Sequence, residues 1–188
     1  MPIVELHLLQ GYGAEDKRRL HEGLTNAVRL VVPAAPEAIT VMIHEMEPAN
    51  YSRGGIHRNG AAALIDPGEI VKDYLGAMEA RDLESARALL SEDFAMRFPG
   101  TAPMHTLEEL IAWAGPRYRF VKKAYQGFDV MQGTGPAALV YCRGTLSGEW
   151  PDGTPFDGIR FIDRFEIENG RITRQDVWND LAEVKATA

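Results

Sequence analysis

The sequence predicts an α+β chain in two parts, and three observations carry that reading. Residues 2–46 run strand, helix, strand. Three capped helices follow between residues 67 and 115, and four strand-like stretches (117–132, 137–150, 156–168 and 171–181) close the chain. Helices first and a long meander afterwards make helices packed on one face of a curved antiparallel sheet. The expected boundaries are a β-α-β domain over 1–58, a linker over 59–66 with Gly60 as its joint, and a second domain over 67–188.

Each element has a local cause. Pro2, Val4, Leu6 and Leu8 alternate with Ile3, Glu5, His7 and Leu9, the period of a strand. Gly11-Tyr12-Gly13 turns the chain, and Glu15 and Asp16 occupy the first turn of a helix, where the dipole favours acids. Leu20, Leu24, Ala27, Val28 and Val31 stripe one face of it, and Pro33 and Pro36 stop it. Ile39 to Met46 is the second strand, and a right-handed crossover makes the two strands parallel. It is apolar on both faces, so symmetric association of copies is expected to cover it.

In the second part, Asp66-Pro67 reads as N-cap and first helical residue, and Asp82 caps a short helix. Phe94–Phe98 is a strand, and Thr106 with Glu109 makes a capping box that opens a third helix ending at Gly115-Pro116. Asn169-Gly170 is the preferred centre of a two-residue hairpin turn. An unbroken register from that turn sets Phe165 opposite Arg174, Asp163 opposite Asp176 and Phe161 opposite Trp178. Paired residues share a face, so two carboxylates would stand together inside the fold. They are an acid–base pair, or an ion network neutralised by Arg174. A one-residue slip, through a bulge at Gly170, would send these groups to the other face.

Composition narrows the function. The chain has 188 residues, 45% hydrophobic and 25% charged, with a net charge of −7. That acidity argues against nucleic acid or an anionic membrane as partner. One cysteine, Cys142, rules out an internal disulfide framework and suits a cytoplasmic protein. The five histidines are too scattered for a metal site, and no cofactor motif is present. The expected partners are a small-molecule substrate and further copies of the chain.

Met1-Pro2-Ile3-Val4, Val41-Met42-Ile43-His44-Glu45-Met46 and Asn50-Tyr51-Ser52-Arg53-Gly54-Gly55 resemble the 4-oxalocrotonate tautomerase family over residues 2–55. The resemblance implies hexamers or related trimer-symmetric assemblies, and a proline nitrogen at Pro2 that shuttles a proton during keto–enol interconversion of 2-oxo acids. Enclosure among Val4 and Leu6 would favour the neutral, basic form of that amine. Two arginines usual in the family are replaced by Tyr12 and Thr40, and Tyr51 stands for its usual Phe. Arg53, with Arg58, is then the candidate for the substrate carboxylate; a solvated or intersubunit arginine is the alternative.

Residues 67–182 resemble the superfamily of nuclear transport factor two, ketosteroid isomerase and the SnoaL-like polyketide cyclases. The carriers are Ala80-Arg81-Asp82-Leu83, Leu90-Ser91-Glu92-Asp93-Phe94, Asp152-Gly153-Thr154-Pro155 and Phe165 to Ile172. The resemblance implies a cone with a small-molecule pocket, fixing the fold and leaving the activity open. Phe98 occupies the position that resembles the isomerase base. The candidate site residues are Pro2, Asp163 and Asp176 for catalysis, and Tyr51, Arg53, Arg174 and Trp178 for binding. The function expected is a proline-dependent tautomerase joined to a SnoaL-like small-molecule domain. The alternatives make the cone the main catalyst, or a non-catalytic ligand binder, with the first segment serving assembly.

Overall fold

The computed structural model describes residues 1–187 and divides into two compact units, Met1–Leu64 and Ile65–Ala188. The division falls after Leu64, within the stretch 59–66 expected as a linker; a Cβ on Gly60 would stand 3.2 Å from the Gln10 carbonyl oxygen.

The first unit holds β1 (Ile3–Leu9), α1 (Ala14–Arg29) and β2 (Thr40–Met46), with the two strands parallel as the crossover requires. A minimal hairpin, β3 (Ser52–Arg53) and β4 (Ile56–His57), follows. Val4, Leu6, Val41 and Ile43 share the face that α1 covers, and Lys17 of α1 reaches Glu45 on it, 2.6 Å away. The other face carries Ile3, Glu5 and His7 and is exposed. No residue from Met1 to Leu64 is buried. A unit with so little enclosed apolar surface has little to offset its chain entropy.

The second unit begins with α2 (Pro67–Ala80), capped by Asp66, whose carboxylate accepts from the Gly68 N–H at 2.8 Å. Then come α3 (Leu83–Ala88), β5 (Leu90–Arg97) and α4 (Leu107–Ala114). The capping box at α4 is present: Glu109 N–H donates to Thr106 Oγ1 at 3.2 Å, and Thr106 N–H donates to Glu109 Oε2 at 3.1 Å. Four long strands follow, β6 (Phe120–Gln132), β7 (Ala138–Glu149), β8 (Pro155–Glu168) and β9 (Arg171–Asn179), then α5 (Leu181–Thr187).

The sheet order is β5-β9-β8-β7-β6, and β5 runs parallel to β9. The sheet is therefore mixed, not wholly antiparallel: β5 is reached from the helices and enters in the direction of β9. The last strand, expected over 171–181, ends at Asn179, and Leu181–Thr187 form α5. Val140, Cys142, Leu146, Phe161, Phe165 and Ile167 alternate inward from β7 and β8 onto Ile70, Val71 and Tyr74 of α2. The Tyr74 and Phe165 rings meet edge to face at 6.0 Å.

Bulges bend this sheet. Tyr125 pairs with Gly144 and Gly127 with Arg143, which leaves Gln126 as an extra residue on β6. At that bend a Cβ on Gly144 would stand 2.0 Å from the Ala124 carbonyl oxygen, so the strands approach too closely for any other residue. Gly144→Ala is expected to destabilise the second unit by about 3 kcal/mol. A shift in its urea midpoint at unchanged slope checks this; an unshifted midpoint would mean that the bend is misplaced.

Candidate active sites

The hairpin after β8 decides which side chains enter the cone. Its turn is as expected, with Asn169 at φ 51° and Gly170 at φ 75°. The register is not. Ile167 pairs with Ile172, but Glu166 pairs with Arg174, so Thr173 is an extra residue and the slip lies there rather than at Gly170. Phe165 then faces Gln175, Arg164 faces Asp176, Asp163 faces Val177 and Ile162 faces Trp178.

This corrects the expected constellation. Asp163 and Asp176 lie on opposite faces of the sheet, and Trp178 is 54% exposed. The physical reason is charge. The unbulged register would set the Arg174 guanidinium beside Phe165 in the core and bring Asp176 in beside Asp163, so that three charged groups would be taken out of water together. The bulge turns Arg174 outward and brings the neutral Gln175 in. On that other face Asp176, itself buried, accepts from Arg174 Nε at 2.8 Å and lies 3.5 Å from Arg164, whose other nitrogen reaches Glu166 at 2.7 Å. Arg174 thus pairs with Asp176, on the face opposite Asp163.

Asp163 remains inside, fully buried. Its Oδ2 pairs with Lys123 Nζ and also accepts from Gln175 Nε2 at 3.3 Å. Tyr74 Oη donates to Gln175 Oε1 at 3.3 Å, which ties the cluster to α2. Asp163 Oδ1 is buried with no hydrogen-bond partner. Lys123 was not legible as a site residue, because only the two-strand reach from β6 across β7 brings it to β8. The one sequence signal is the alternation of β6, where Val121 and Lys123 point inward together.

Lys123, Gln175, Tyr74 and Tyr125 line a cavity of about 170 Å³ together with Met78 and Leu110. Burial raises the Tyr125 hydroxyl well above its usual range, with the nearby Cys142 and Asp163 adding to it. Tyr74 is raised likewise, by burial and then by the Asp163 charge, so both phenols stay neutral. Asp163 stands directly across from Cys142 on β7, and burial pushes that thiol up to about 12 from 9.0.

In the first unit, Pro2 is half-buried at the head of β1, and its carbonyl accepts from the Thr40 N–H at 3.0 Å. Tyr51 and Arg53 are bonded to each other, Arg53 Nε to Tyr51 Oη at 2.9 Å. With Arg58 and Tyr12 they line a groove beside Leu9 and Met46, at the opposite end of β1. His7, Leu8 and Leu9 border that groove themselves, so the strand from Ile3 to Leu6, about 15 Å at about 3.3 Å per residue, separates it from Pro2. A single copy does not bring the candidate base and the candidate cation together. The register also joins two histidines judged too scattered to cooperate. His7 and His44 stack at 4.7 Å, with Glu5 3.9 Å from His7, and the three donor groups lie within 4.8 Å of one another. All three are exposed, and they are the residues of this unit that could hold a metal ion.

Such a fold, a β-α-β segment followed by helices on a bent sheet with an enclosed polar cluster, defines a two-part chain. Residues 71–175 match the model of the SnoaL-like domain, and residues 2–57 match the model of the tautomerase enzymes. The chain belongs to the SnoaL-like family through the former segment and to the tautomerase family through the latter. Its first segment is similar to the probable tautomerase of Staphylococcus saprophyticus, 37% identical over 59 residues, which are 31% of this chain and 97% of that one. It is also similar to that of Staphylococcus haemolyticus, 38% identical over 61 residues, 32% and 98% of the two chains. In fold the chain is similar to an NTF2-like protein of unknown function from Burkholderia pseudomallei, with a TM-score of 0.53 and 21% identity over 63% of this chain and 93% of that one. An NTF2-like protein from Burkholderia thailandensis gives a TM-score of 0.52 at 17% identity, covering 65% and 97%. Among the described residues, no helix is long and apolar enough to cross a membrane.

The Cys142 thiol gives the cluster a pH signature. In the folded protein it stays protonated through the range where an unfolded thiol ionises, so above pH 9 the unfolded chain binds fewer protons. Stability is expected to fall as pH rises from about 9 towards about 12, and to fall less in Cys142→Ala. Urea midpoints of both proteins at pH 8 and pH 10.5 measure it; parallel losses would contradict the burial of the thiol.

Proposed function

We propose that the chain is an isomerase of the keto–enol tautomerase type, acting on a small 2-oxo acid or its enol, with the Pro2 nitrogen as the proton carrier. The observation that carries this reading is the match of residues 2–57 to the tautomerase enzymes with Pro2 at the head of β1. Removal of Met1 frees a secondary amine on a rigid ring. The Thr40 N–H holds the adjoining carbonyl and so fixes the ring at the strand end. A base whose proton affinity lies near neutral pH takes the proton from the substrate carbon and returns it to the oxygen, or the reverse.

The substrate carboxylate needs a cation, and Arg53 supplies it from another copy. Pro2 and the Arg53–Tyr51 groove lie at opposite strand ends, so the site is completed where copies meet. The absence of any buried residue between Met1 and Leu64 supports this association, which we take to be trimer-symmetric or hexameric. No metal or organic cofactor is required for proton transfer of this kind.

A second reading makes the cone the principal catalyst, with Asp163 as its acid–base group and the first unit as an assembly platform. The enclosed carboxylate with one unpartnered oxygen favours it.

The rate of phenylpyruvate ketonisation separates the two. The first reading expects Pro2→Ala to lose at least about 100-fold in kcat/KM, once mass spectrometry has shown Pro2 at the mature terminus. An undiminished rate in Pro2→Ala, or a retained Met1, removes the proline from the mechanism. Loss in Asp163→Asn with Pro2→Ala unaffected moves the chemistry to the cone. The shared site has a test of its own. Pro2→Ala and Arg53→Ala chains, each inactive alone, are expected to regain a fraction of the activity when co-expressed, because mixed assemblies rebuild intact sites. No regain would place both residues in one copy's site or exclude Arg53.

A further inference from the structure

We propose that the cavity of the second unit binds a neutral, planar carbonyl compound, whose carbonyl oxygen accepts a hydrogen bond from Lys123 Nζ while Asp163 positions that ammonium. The inference rests on reading this unit as a small-molecule domain, and it is independent of Pro2.

Four observations lead to it. Lys123 lines the cavity and Asp163 does not, so a ligand meets the ammonium in front and the carboxylate behind it. The Lys123 side chain is 22% exposed and Asp163 is wholly enclosed. An ammonium has three N–H donors, and the Asp163 contact uses one. The ammonium also stands 4.5 Å from the centroid of the Phe161 ring, a second contact that helps to hold it in place.

The second observation concerns the neighbouring polar groups. Tyr74 donates to Gln175, and Gln175 donates to Asp163, so both bonds run within the cluster. Lys123 is thus the charged donor in the sheltered part of the cavity, Arg81 being exposed, with the neutral Tyr125 hydroxyl also in the lining.

The third is the charge count. Of the charged residues lining the cavity, Glu79 and Arg81 are exposed to water, and only Lys123 is sheltered, with Asp163 behind it. Lys123 and Asp163 balance each other. An anionic ligand would add an uncompensated charge beside that sheltered pair, whereas a neutral acceptor leaves it even. The fourth is the rest of the wall, where Leu75, Met78, Leu110 and Val121 present apolar surface and Phe98 and Tyr118 add two aromatic rings on which a planar ligand can stack.

The test uses the full chain and acetophenone carrying ¹³C at its carbonyl, with ethylbenzene and benzoate as comparators of the same size. In wild type, acetophenone is expected to bind about 5- to 10-fold more tightly than either comparator. Its carbonyl resonance should move downfield, as donation to the oxygen draws charge from the carbon. Lys123→Met combined with Asp163→Asn removes both charges and leaves no unpaired buried ion. That protein should keep ethylbenzene binding and lose both the preference and the downfield shift. Benzoate binding as tightly as acetophenone overturns the charge argument, and a shift retained in the double variant overturns the role of Lys123. No binding of any of the three overturns the site. The wild-type comparison stands even if the double variant fails to fold. Because it reads binding without turnover, a protein inactive towards phenylpyruvate still passes or fails it.

Discussion

The contact between Asp163 and Lys123 is the constraint around which the second unit is organised. Taking a carboxylate entirely out of water is tolerable only with a cation and further donors at hand. Lys123 and the Gln175 amide supply them from two other strands, one on either side of β8 in the sheet. That requirement reaches into the backbone. Gln175 faces inward because Thr173 bulges, and Lys123 comes within range because the β6 bulge and the close approach at Gly144 bend the sheet over the helices. A flat sheet in unbroken register would leave Asp163 without these partners and Arg174 in the core.

The first unit obeys the opposite constraint. It has the strand, crossover helix and strand of a stable motif, yet nothing in it is buried, and one sheet face is left with Ile3, Glu5 and His7 exposed. Its candidate proton carrier and candidate cation occupy opposite ends of β1. Thermodynamics and chemistry therefore ask for the same thing, a second copy of the chain. The cone closes its polar cluster within one chain, and the tautomerase segment does not.

Much of the architecture is legible in the residues, because it is written in local signals. Asp66-Pro67, Thr106 with Glu109, and Asn169-Gly170 act over two to four residues, and all three do in the structure what their chemistry demands. What escapes reading is non-local. The Thr173 bulge depends on the penalty for Arg174 at a position that only the folded sheet defines. The parallel placement of β5 depends on which strand edge is open after the hairpins form. Lys123 sits 40 residues from Asp163, and no spacing links them. Pro2 and Arg53 lie towards opposite ends of β1, although the family resemblance suggests one pocket for both.

A double-mutant cycle on Asp163 and Lys123 measures the central claim most directly. Asp163→Asn and Lys123→Met should each destabilise the second unit to urea, and the two together should cost less than their sum by about 1–3 kcal/mol. Strictly additive losses would mean that the two groups do not hold each other, and that the cone is organised by something else.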